Sequence, residues 1–235
     1  MHLSIFCDFD ATITLQDVGE DLFKKFGNFL SCWNEFESGK CNVRELNINL
    51  CKSIPSNVTK NDIENFAYSQ EVDAYFVKFV DYCKNNNYDF YIVSDGYDIY
   101  INTILNKLKL DNIKVFCNEM QYIDNKFIPK FFGAVESCNC LTASCKRNVI
   151  LNNSVDDDIL IYIGDGFTDF CAAEHCDIIF AKNQLATYCN KNKIPHHPFR
   201  SFFDIRRIIE MLIKNKKMKK RNQAFLKYKS AFEAE

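Results

Sequence analysis

The chain opens with an apolar run that ends in two acids. Residues 3–7 read LSIFC, Asp8 and Asp10 follow, and Thr12 comes shortly after them. In a parallel α/β sheet the strands are buried on both faces, and ligands bind beyond their carboxyl ends. Unpaired charge at such a buried tip is costly, so the two carboxylates predict a divalent cation there. The alternative is a helix N-cap at Asp10 or Thr12.

Similar apolar runs recur along the chain and alternate with helical patterns. Strand candidates lie at 3–9, 89–94, 113–117, 159–163 and 178–181. Helical patterns lie near 97–109, 168–175, 183–192 and 202–214. This alternation predicts an α/β fold built on a doubly wound, mostly parallel sheet. A β-hairpin is expected over 118–131, around Asp124 and Asn125.

Later segments add polar groups at the same predicted edge of the sheet. One strand candidate ends in SDG at 94–96, whose hydroxyl and backbone N–H groups suit phosphate oxygens. Another ends in GD at 164–165, with Asp169 close behind, and Lys146 opens a helical stretch between the two. Each segment alone has an ordinary explanation, namely a turn, a capped helix or a solvated lysine.

Taken together, these segments resemble the four motifs of the haloacid dehalogenase (HAD)-like phosphatases. The motifs here are D-x-D-x-T from residue 8, S-x-G from 94, a lysine at 146 and G-D-G-x-x-D over 164–169. Their order, and their place at predicted strand ends, make the likeness specific. The resemblance implies a doubly wound, Rossmann-like core with an inserted helical cap of the C1 type.

The resemblance also implies a role for each site residue. Asp8 is the expected nucleophile, which forms an aspartyl-phosphate, and Asp10 is the expected general acid and base. Mg²⁺ is the expected cofactor, and its ligands are Asp8, the backbone carbonyl of Asp10, and Asp165. Asp169 is expected to orient the water on the metal or Lys146. The expected phosphate-binding residues are Thr12, Ser94, Asp95, Gly96 and Lys146.

The span between the first two strand candidates is too long for a single crossover. Residues 15–76 carry helical patterns near 17–27, 28–38, 42–52 and 60–68. They predict a small cap that closes over the site, and the alternative is a bundle packed permanently on the core. The expected domains are the core, 1–14 and 77–213, the cap, 15–76, and a basic tail, 214–235. The tail is expected to be a solvated terminal helix.

Within this superfamily the chain looks like the phosphatases of methionine salvage. The likeness lies in Cys117-Asn118 before the hairpin, in the cysteine-rich loop before Lys146 and in FFDIR at 202–206. Those enzymes act on 2-hydroxy-3-keto-5-methylthiopentenyl-1-phosphate, so a small phosphorylated metabolite of this kind is the expected substrate. The chain departs from the usual pattern at Ala11 and Asp95, where glycine is common.

Other substrates stay open at this point. A serine-aspartate pair like the one at 94–95 occurs in relatives that act on phosphocholine and phosphoethanolamine. Phosphoserine phosphatases share the architecture and use a cap acid; Asp17 has the matching offset and Glu20 follows, with helix capping by Asp17 as the alternative. Aromatic residues at helical spacing mainly predict cap core, although one or two suit an apolar methylthio tail. They are Phe23, Phe26, Phe29, Trp33 and Phe36. A phosphotransferase to an acceptor alcohol would use the same four motifs.

Composition limits the partners and the compartment. The net charge of −2 gives no electrostatic case for nucleic acid or an anionic membrane, and no stretch approaches transmembrane length. Asp8 and Asp10 interrupt the apolar N-terminal run, so no signal peptide is expected. Twelve cysteines without an export signal indicate reduced thiols in the cytoplasm. The sequence leaves open whether the chain forms a homodimer.

Several cysteines precede Lys146 in one loop. Cys138, Cys140 and Cys145, together with Cys117, are candidates for a structural zinc site. The spacing C-x-C-x4-C is not a tight zinc motif, and free thiols packed near the loop are the alternative.

Overall fold

The computed structural model of the protein describes residues 2–132, 138, 140, 142–155 and 157–233. Its strands are β1 (Leu3–Cys7), β2 (Asp89–Tyr97), β3 (Lys114–Ile123), β4 (Lys126–Lys130), β5 (Ile159–Gly164), β6 (Ile178–Ala181) and β7 (His197–Pro198). Its helices are α1 (Val18–Phe26), α2 (Phe29–Glu37), α3 (Val43–Lys52), α4 (Lys60–Tyr68), α5 (Phe76–Asn85), α6 (Asp98–Lys107), α7 (Lys146–Asn152), α8 (Phe170–Glu174), α9 (Asn183–Lys191), α10 (Phe202–Lys214) and α11 (Asn222–Glu233). Among the described residues, no helix combines the length and the apolar character needed to span a bilayer.

The strands form one sheet in the order β4-β3-β2-β1-β5-β6-β7. The central strand β1 is parallel to both of its neighbours, β2 and β5. The chain builds outward from β1 to β3 on one side and from β5 to β7 on the other. This reversal creates a topological switch point at the carboxyl end of β1, where ligands bind in such sheets. The predicted doubly wound α/β fold is confirmed.

Helices cover both faces of the sheet, so its central strands are buried on both sides. All five residues of β1 are buried, and its successive side chains point to opposite faces. Ile5 belongs to an apolar cluster with α5, α6 and α10, whereas Phe6 belongs to one with α7, α8, α9 and α11. A strand with apolar contacts on both faces cannot accommodate its acids within the sheet, which leaves them at its tip.

The predicted hairpin is confirmed as the antiparallel pair of β3 and β4. Its two-residue loop is Asp124-Asn125, and these residues have φ angles of 49° and 59°. Positive φ at both loop positions matches the twist of the flanking strands, and aspartate and asparagine tolerate it. The strand candidate at 113–117 therefore extends to Ile123, because its second half pairs within the hairpin.

The chain turns sharply directly after Asp8, so β1 ends at Cys7 rather than at residue 9. The carbonyl of Phe9 accepts the backbone N–H groups of Thr12, Ile13 and Thr14. Within this turn Ala11 has a φ of 50°, in the left-handed region that favours glycine. Hydrogen bonding to a single carbonyl thus ends the strand and folds the chain back over the edge of the sheet.

Helices α1 to α4 form one insertion between β1 and β2. The chain segments that enter and leave it are paired. The N–H of Leu15 donates to the carbonyl of Glu71, and the N–H of Asp73 donates to the carbonyl of Ile13, each at 3.0 Å. Helix α4 packs on α6 within the same apolar cluster as the sheet. The division into core and cap stays a prediction, and so does movement of the cap.

The C-terminal segment packs on the core instead of forming the solvated helix that the sequence predicted. Met218 and Tyr228 are buried, and α11 lies against α8. The Arg221 guanidinium donates to the backbone carbonyls of Ala173, at 3.0 Å, and Cys176, at 2.8 Å. Carbonyl groups at a helix C-terminus lack partners within the helix and favour a cation. Arg221 therefore anchors the segment at the end of α8.

Candidate active site

Asp8 lies at the carboxyl end of β1, in direct contact with Lys146. The Nζ atom of Lys146 is 2.6 Å from Oδ1 of Asp8 and 2.6 Å from Oδ1 of Asp169. All three side chains are buried. Asp8 follows β1, Lys146 opens α7, and Asp169 ends the 3-10 turn after β5. Three segments that are distant in sequence therefore meet at one buried ion-pair network.

Burial dominates the electrostatics of this network. Burial raises the pKa of Asp8, the charge of Asp169 raises it further, and Lys146 opposes both effects. Burial lowers the pKa of Lys146, but the contacts with Asp169 and Asp8 outweigh it and raise that pKa overall. Lys146 is therefore a fixed positive charge beside the candidate nucleophile.

Asp10 binds the start of α1 and a buried tyrosine. Its Oδ1 accepts the backbone N–H groups of Val18, at 3.1 Å, and Gly19, at 3.4 Å. Its Oδ2 accepts the hydroxyl of Tyr100 at 2.6 Å. Burial, followed by the charge of Asp17, raises the pKa of Asp10 to about 7. A carboxyl group that titrates near neutral pH can both donate and accept a proton in a reaction cycle.

The end of β2 approaches Asp10 closely. The Ser94 hydroxyl lies 3.5 Å from Oδ2 of Asp10 and accepts the N–H of Gly96 at 3.0 Å. A β-carbon built on Gly96 would stand 1.8 Å from the Tyr100 hydroxyl oxygen and 2.6 Å from Oδ2 of Asp10. Only glycine fits at this position, because any side chain would displace both groups.

The Asp95 carboxylate holds the loop that leads into α7. It accepts the N–H groups of Ala143, at 3.0 Å, and Ser144, at 2.9 Å, and the side-chain amide of Asn118, at 3.1 Å. Because its carboxylate is engaged in this way, the backbone N–H is the group of Asp95 that suits a phosphate oxygen. Its role in phosphate binding stays a prediction.

The remaining predicted site residues gather around Asp165. The Thr12 hydroxyl donates to Oδ1 of Asp165 at 3.3 Å, and the Asn183 side-chain amide donates to Oδ2 at 3.0 Å. Burial raises the pKa of Asp165. The structure thus places Thr12 beside a predicted metal ligand, and its part in phosphate binding is untested.

The three acids of the site suit a hard divalent cation. Carboxylate oxygens of Asp8, Asp165 and Asp169 lie within 4.8 Å of one another. Within the described residues, Lys146 is the one ammonium in contact with this group, so the carboxylates carry excess negative charge. Oxygen ligands and uncompensated negative charge fit Mg²⁺.

Hydrogen bonds to Asp169 indicate which acids are free to bind such a cation. Its Oδ1 accepts Lys146 and the Tyr162 hydroxyl, each at 2.6 Å. Its Oδ2 accepts the N–H groups of Asp165 and Gly166, each at 2.9 Å. Each oxygen of Asp169 thus accepts two hydrogen bonds, whereas each oxygen of Asp165 accepts one. Asp169 fits the predicted orienting role, and Asp8 and Asp165 are the better candidates for ligands.

Sequence reasoning missed several residues that hold the acids in place. They are Tyr100, Asn118, Tyr162 and Asn183. Tyr162 lies inside a strand that reads as apolar, and Tyr100 lies inside a helix, so neither pattern marks them as functional. Asn183 had a local signal, since an asparagine that opens a helix directly after a strand lies at the carboxyl edge of the sheet.

A cavity of about 440 Å³ opens between these residues and helices α1 to α3. Its core side includes Asp8, Asp10 and Asp165. The side formed by α1 to α3, here called the cap side, has the polar residues Asp17, Glu20 and Asn47. Its apolar residues are Phe23, Phe29, Trp33, Val43, Leu46 and Leu50. No lysine or arginine is among the described residues that line it. Three of the five cap aromatics, Phe23, Phe29 and Trp33, line the cavity, one more than the sequence predicted.

Both predicted cap acids line the cavity and also have structural partners. The Asp17 side chain accepts the N–H of Glu20 at 2.8 Å and thereby caps α1. Glu20 forms an ion pair with Lys24 one helical turn on. Capping explains Asp17 without a substrate, so its role in binding depends on what the substrate carries.

Comparison with known sequences places the chain among phosphatases. The family model for haloacid dehalogenase-like hydrolases matches residues 5–174. The chain is 30% identical to the 2-hydroxy-3-keto-5-methylthiopentenyl-1-phosphate phosphatase of Bacillus cereus over 219 residues, which is 92% of this chain and 100% of that one. The enzyme of the same description from Bacillus anthracis is also 30% identical, over 220 residues, with the same coverage.

Solved structures agree on the fold. A phosphoserine phosphatase determined as a phospho-aspartyl intermediate analogue superposes with a TM-score of 0.65 at 19% identity, covering 89% of this chain and 98% of that one. Cytosolic 5'-nucleotidase IIIB bound to cytidine gives a TM-score of 0.59 at 14% identity, covering 91% and 86%. At such identities the likeness concerns the fold alone.

Proposed function

Since the chain belongs to the haloacid dehalogenase-like hydrolases and is a phosphoric monoester hydrolase, we propose that it hydrolyses 2-hydroxy-3-keto-5-methylthiopentenyl-1-phosphate. We propose an aspartyl-phosphate intermediate, Mg²⁺ as cofactor, and the cytoplasm, where free thiols persist, as the compartment. The observation that carries the proposal is the buried Asp8 at the sheet's switch point, paired with Lys146 and facing a cavity with an apolar far wall.

Asp8 is positioned to act as the nucleophile. Its Oδ1 is held by Lys146, and among the described residues no hydrogen bond occupies Oδ2. Attack by Oδ2 forms a bond to phosphorus as the bond from phosphorus to the leaving oxygen breaks. This covalent step divides one difficult displacement into two easier ones.

Asp10 serves both halves of the reaction. In its protonated form it gives a proton to the leaving oxygen, and as a carboxylate it then takes a proton from the attacking water. The water's oxygen bonds to phosphorus, the bond to Asp8 breaks, and phosphate leaves. A pKa of about 7 suits a group that must exist in both forms near neutral pH.

Fixed charge around the phosphoryl group supplies the rest of the catalysis. Mg²⁺, held by Asp8, Asp165 and the backbone carbonyl of Asp10, would neutralise charge on the phosphoryl oxygens. Lys146 holds Asp8 in place and adds positive charge. The Ser94 hydroxyl, which accepts the N–H of Gly96, would donate its own hydrogen to a phosphoryl oxygen.

The cap side of the cavity supports the methylthio substrate. Phe29 and Trp33 stack with their ring centroids 5.6 Å apart, and Leu46 and Leu50 lie on the same wall. Apolar surface of this kind favours a thioether tail. The carboxylate of phosphoserine calls for a cation, and no lysine or arginine of the described chain lines this wall.

A phosphocholine or phosphoethanolamine phosphatase is the second candidate. The observation that favours it is the combination of Asp17 and Glu20 with aromatic rings on the cap side of the cavity. Acids and aromatic faces together bind an ammonium group, through charge and through cation–π attraction.

Steady-state kinetics with Mg²⁺ separate these candidates. We expect the highest kcat/KM on 2-hydroxy-3-keto-5-methylthiopentenyl-1-phosphate. It should exceed the values for phosphocholine, phosphoethanolamine and phosphoserine at least about tenfold, a difference of about 1.4 kcal/mol. A preference for either amine substrate would move the assignment to the second candidate. Assays with added alcohols test whether the enzyme is a phosphotransferase. Transfer to an alcohol would lower the amount of free phosphate released for each substrate molecule consumed.

Variants of Asp17 also distinguish an apolar substrate tail from an ammonium group, because they change the enzyme and not the substrate. Asp17→Asn removes the charge and keeps a side-chain oxygen that can cap α1, whereas Asp17→Ala removes both. If the tail is apolar, both variants change kcat/KM only modestly. If the substrate carries an ammonium, both should lose more than about a hundredfold, or 2.7 kcal/mol. Loss in Asp17→Ala alone would indicate a damaged helix cap.

A further inference from the structure

Four cysteine side chains converge on the side of the sheet that carries α7 and α8. Cys138, Cys140 and Cys145 belong to the loop before α7, and Cys171 belongs to α8. Their sulfur atoms all lie within 4.8 Å of one another, and those of Cys138 and Cys171 are 3.5 Å apart. We propose that these four thiolates bind a structural Zn²⁺.

The spacing of the sulfurs fits a tetrahedral metal site and not a disulfide. Four sulfurs at about 2.3 Å from one zinc lie roughly 3.8 Å from each other. A disulfide requires about 2.05 Å, and all twelve cysteines of the chain are free. Four thiolates in a tetrahedral arrangement select Zn²⁺ or iron among the common metals, and zinc is the one that needs no redox partner.

The set of ligands differs from the one that the sequence suggested. Cys117 lies on β3 and is not part of the cluster, and Cys171 takes its place. Three ligands come from a short loop and the fourth from a helix, which explains why no compact spacing motif appears. A site divided in this way ties two segments of the chain together.

Metal binding at this cluster should depend on pH. Zn²⁺ binds cysteine as the thiolate, so it would replace the protons of the thiols. Zinc binding should therefore release protons and weaken at low pH.

The two segments that the metal would join are those that meet at the active site. Cys145 directly precedes Lys146, and Cys171 lies two residues after Asp169. The side chains of Lys146 and Asp169 are in contact at 2.6 Å. Helix α7 has no side-chain N-cap of its own. The zinc would fix the start of α7 against α8 and would so hold Lys146, the first residue of α7, in position.

Zinc analysis of the purified protein tests this site. After dialysis against EDTA to remove weakly bound ions, we expect about one zinc per chain by elemental analysis. Cys171→Ser and Cys138→Ser should each lose most of it, whereas Cys117→Ser should retain it as the matched control. Co²⁺ in place of zinc should give thiolate-to-metal charge-transfer absorption, which the carboxylate site cannot produce.

Three results would overturn the proposal. They are zinc well below stoichiometric amounts in the wild-type protein, zinc content that is unchanged in Cys171→Ser, and a disulfide among these residues found by mass spectrometry. Iron in place of zinc would reject the choice of metal. Because metal content and absorption are measured without substrate, these outcomes are independent of which phosphomonoester the enzyme hydrolyses.

Discussion

The two sides of the cavity are built in opposite ways. On the core side, Asp8 and Asp169 share Lys146, and no buried polar side-chain atom of the described chain lacks a partner. On the cap side, Phe29 and Leu46 contribute mainly carbon surface. A phosphoryl group needs fixed charge whatever it is attached to, whereas the rest of a substrate needs a matching shape. The proposed function therefore assigns chemistry and selectivity to separate parts of the chain.

The largest loss of activity is expected when Asp8, the proposed nucleophile on the core side, is replaced. Asp8→Asn should lower kcat at least about a hundredfold, or roughly 3 kcal/mol, because an amide has the shape of the carboxylate but cannot attack phosphorus. Stopped-time phosphate assays measure the loss, and circular dichroism checks the fold. The exposed Asp111→Asn is the control and should be fully active. Residual activity of more than about one per cent would reject Asp8 as the nucleophile.

Removal of the metal should lower the activity almost as strongly as the substitution of Asp8. Without Mg²⁺ the carboxylates of Asp8, Asp165 and Asp169 repel one another and an incoming phosphate. Activity after dialysis against EDTA should fall at least about tenfold and return with Mg²⁺. Ca²⁺ should inhibit, because it prefers more and longer oxygen contacts. Full activity in excess EDTA would contradict a metal-dependent mechanism.

Substitutions on the cap side should raise KM and leave kcat nearly unchanged. Phe29→Ala removes a ring from the cavity wall and should raise KM about tenfold, or 1.4 kcal/mol, with kcat within about twofold. Leu30→Ala is the matched control, since Leu30 is the next residue of α2 and is 70% exposed. A fall in kcat without a change in KM would show that the cap takes part in the chemistry, and the division between the two sides would fail.

Tyr100 links the two sides, because it binds Asp10 next to the start of α1. Asp10 must be protonated to assist the leaving oxygen, so kcat/KM should fall as pH rises through a pKa of about 7. The Tyr100 hydroxyl lowers that pKa by stabilising the carboxylate. Tyr100→Phe should therefore move the alkaline limb of the profile to higher pH, by roughly one unit. A shift to lower pH would exclude Asp10 as the group that titrates.

The smallest effect is expected in the turn after β1. Ala11 has a φ of 50°, where a β-carbon is unfavourable. Ala11→Gly should leave activity unchanged and raise the free energy of unfolding by at most about 1 kcal/mol, since glycine also gains freedom in the unfolded chain. Urea denaturation measures this difference. Marked destabilisation would mean that the Ala11 methyl group makes a packing contact that matters more than its backbone strain.

Local patterns were sufficient to predict the sheet and the acids at its edge. Apolar runs that end in Asp8, Ser94 and Asp165 imply parallel strands, and parallel strands bring their carboxyl ends together. The helices from 17 to 68 and the hairpin turn at Asp124-Asn125 also follow from short-range signals. These features depend on residues that are near one another in sequence.

What the sequence did not predict depends on contacts between distant segments. Tyr100 reaches Asp10 across 90 positions, and Cys171 joins cysteines from a different loop. The basic run after residue 214 indicated a solvated helix, yet Arg221 finds the end of α8 and buries the segment. Composition shows that a residue is polar, but only the fold determines which partner it meets.

The paired segments at the base of the insertion have a further consequence for how such a chain can be altered. Thr14 and Val72 form an antiparallel bridge, so the chain leaves the sheet and returns to it at nearly the same point. Neighbouring strands of this kind are about 5 Å apart, a gap that a two-residue turn can close. A different insertion could therefore join the same two points without a change in the order of the strands. It would have to cover the surfaces that the present insertion covers, which include the side of α6 that meets α4 and the side of β4 that meets α3.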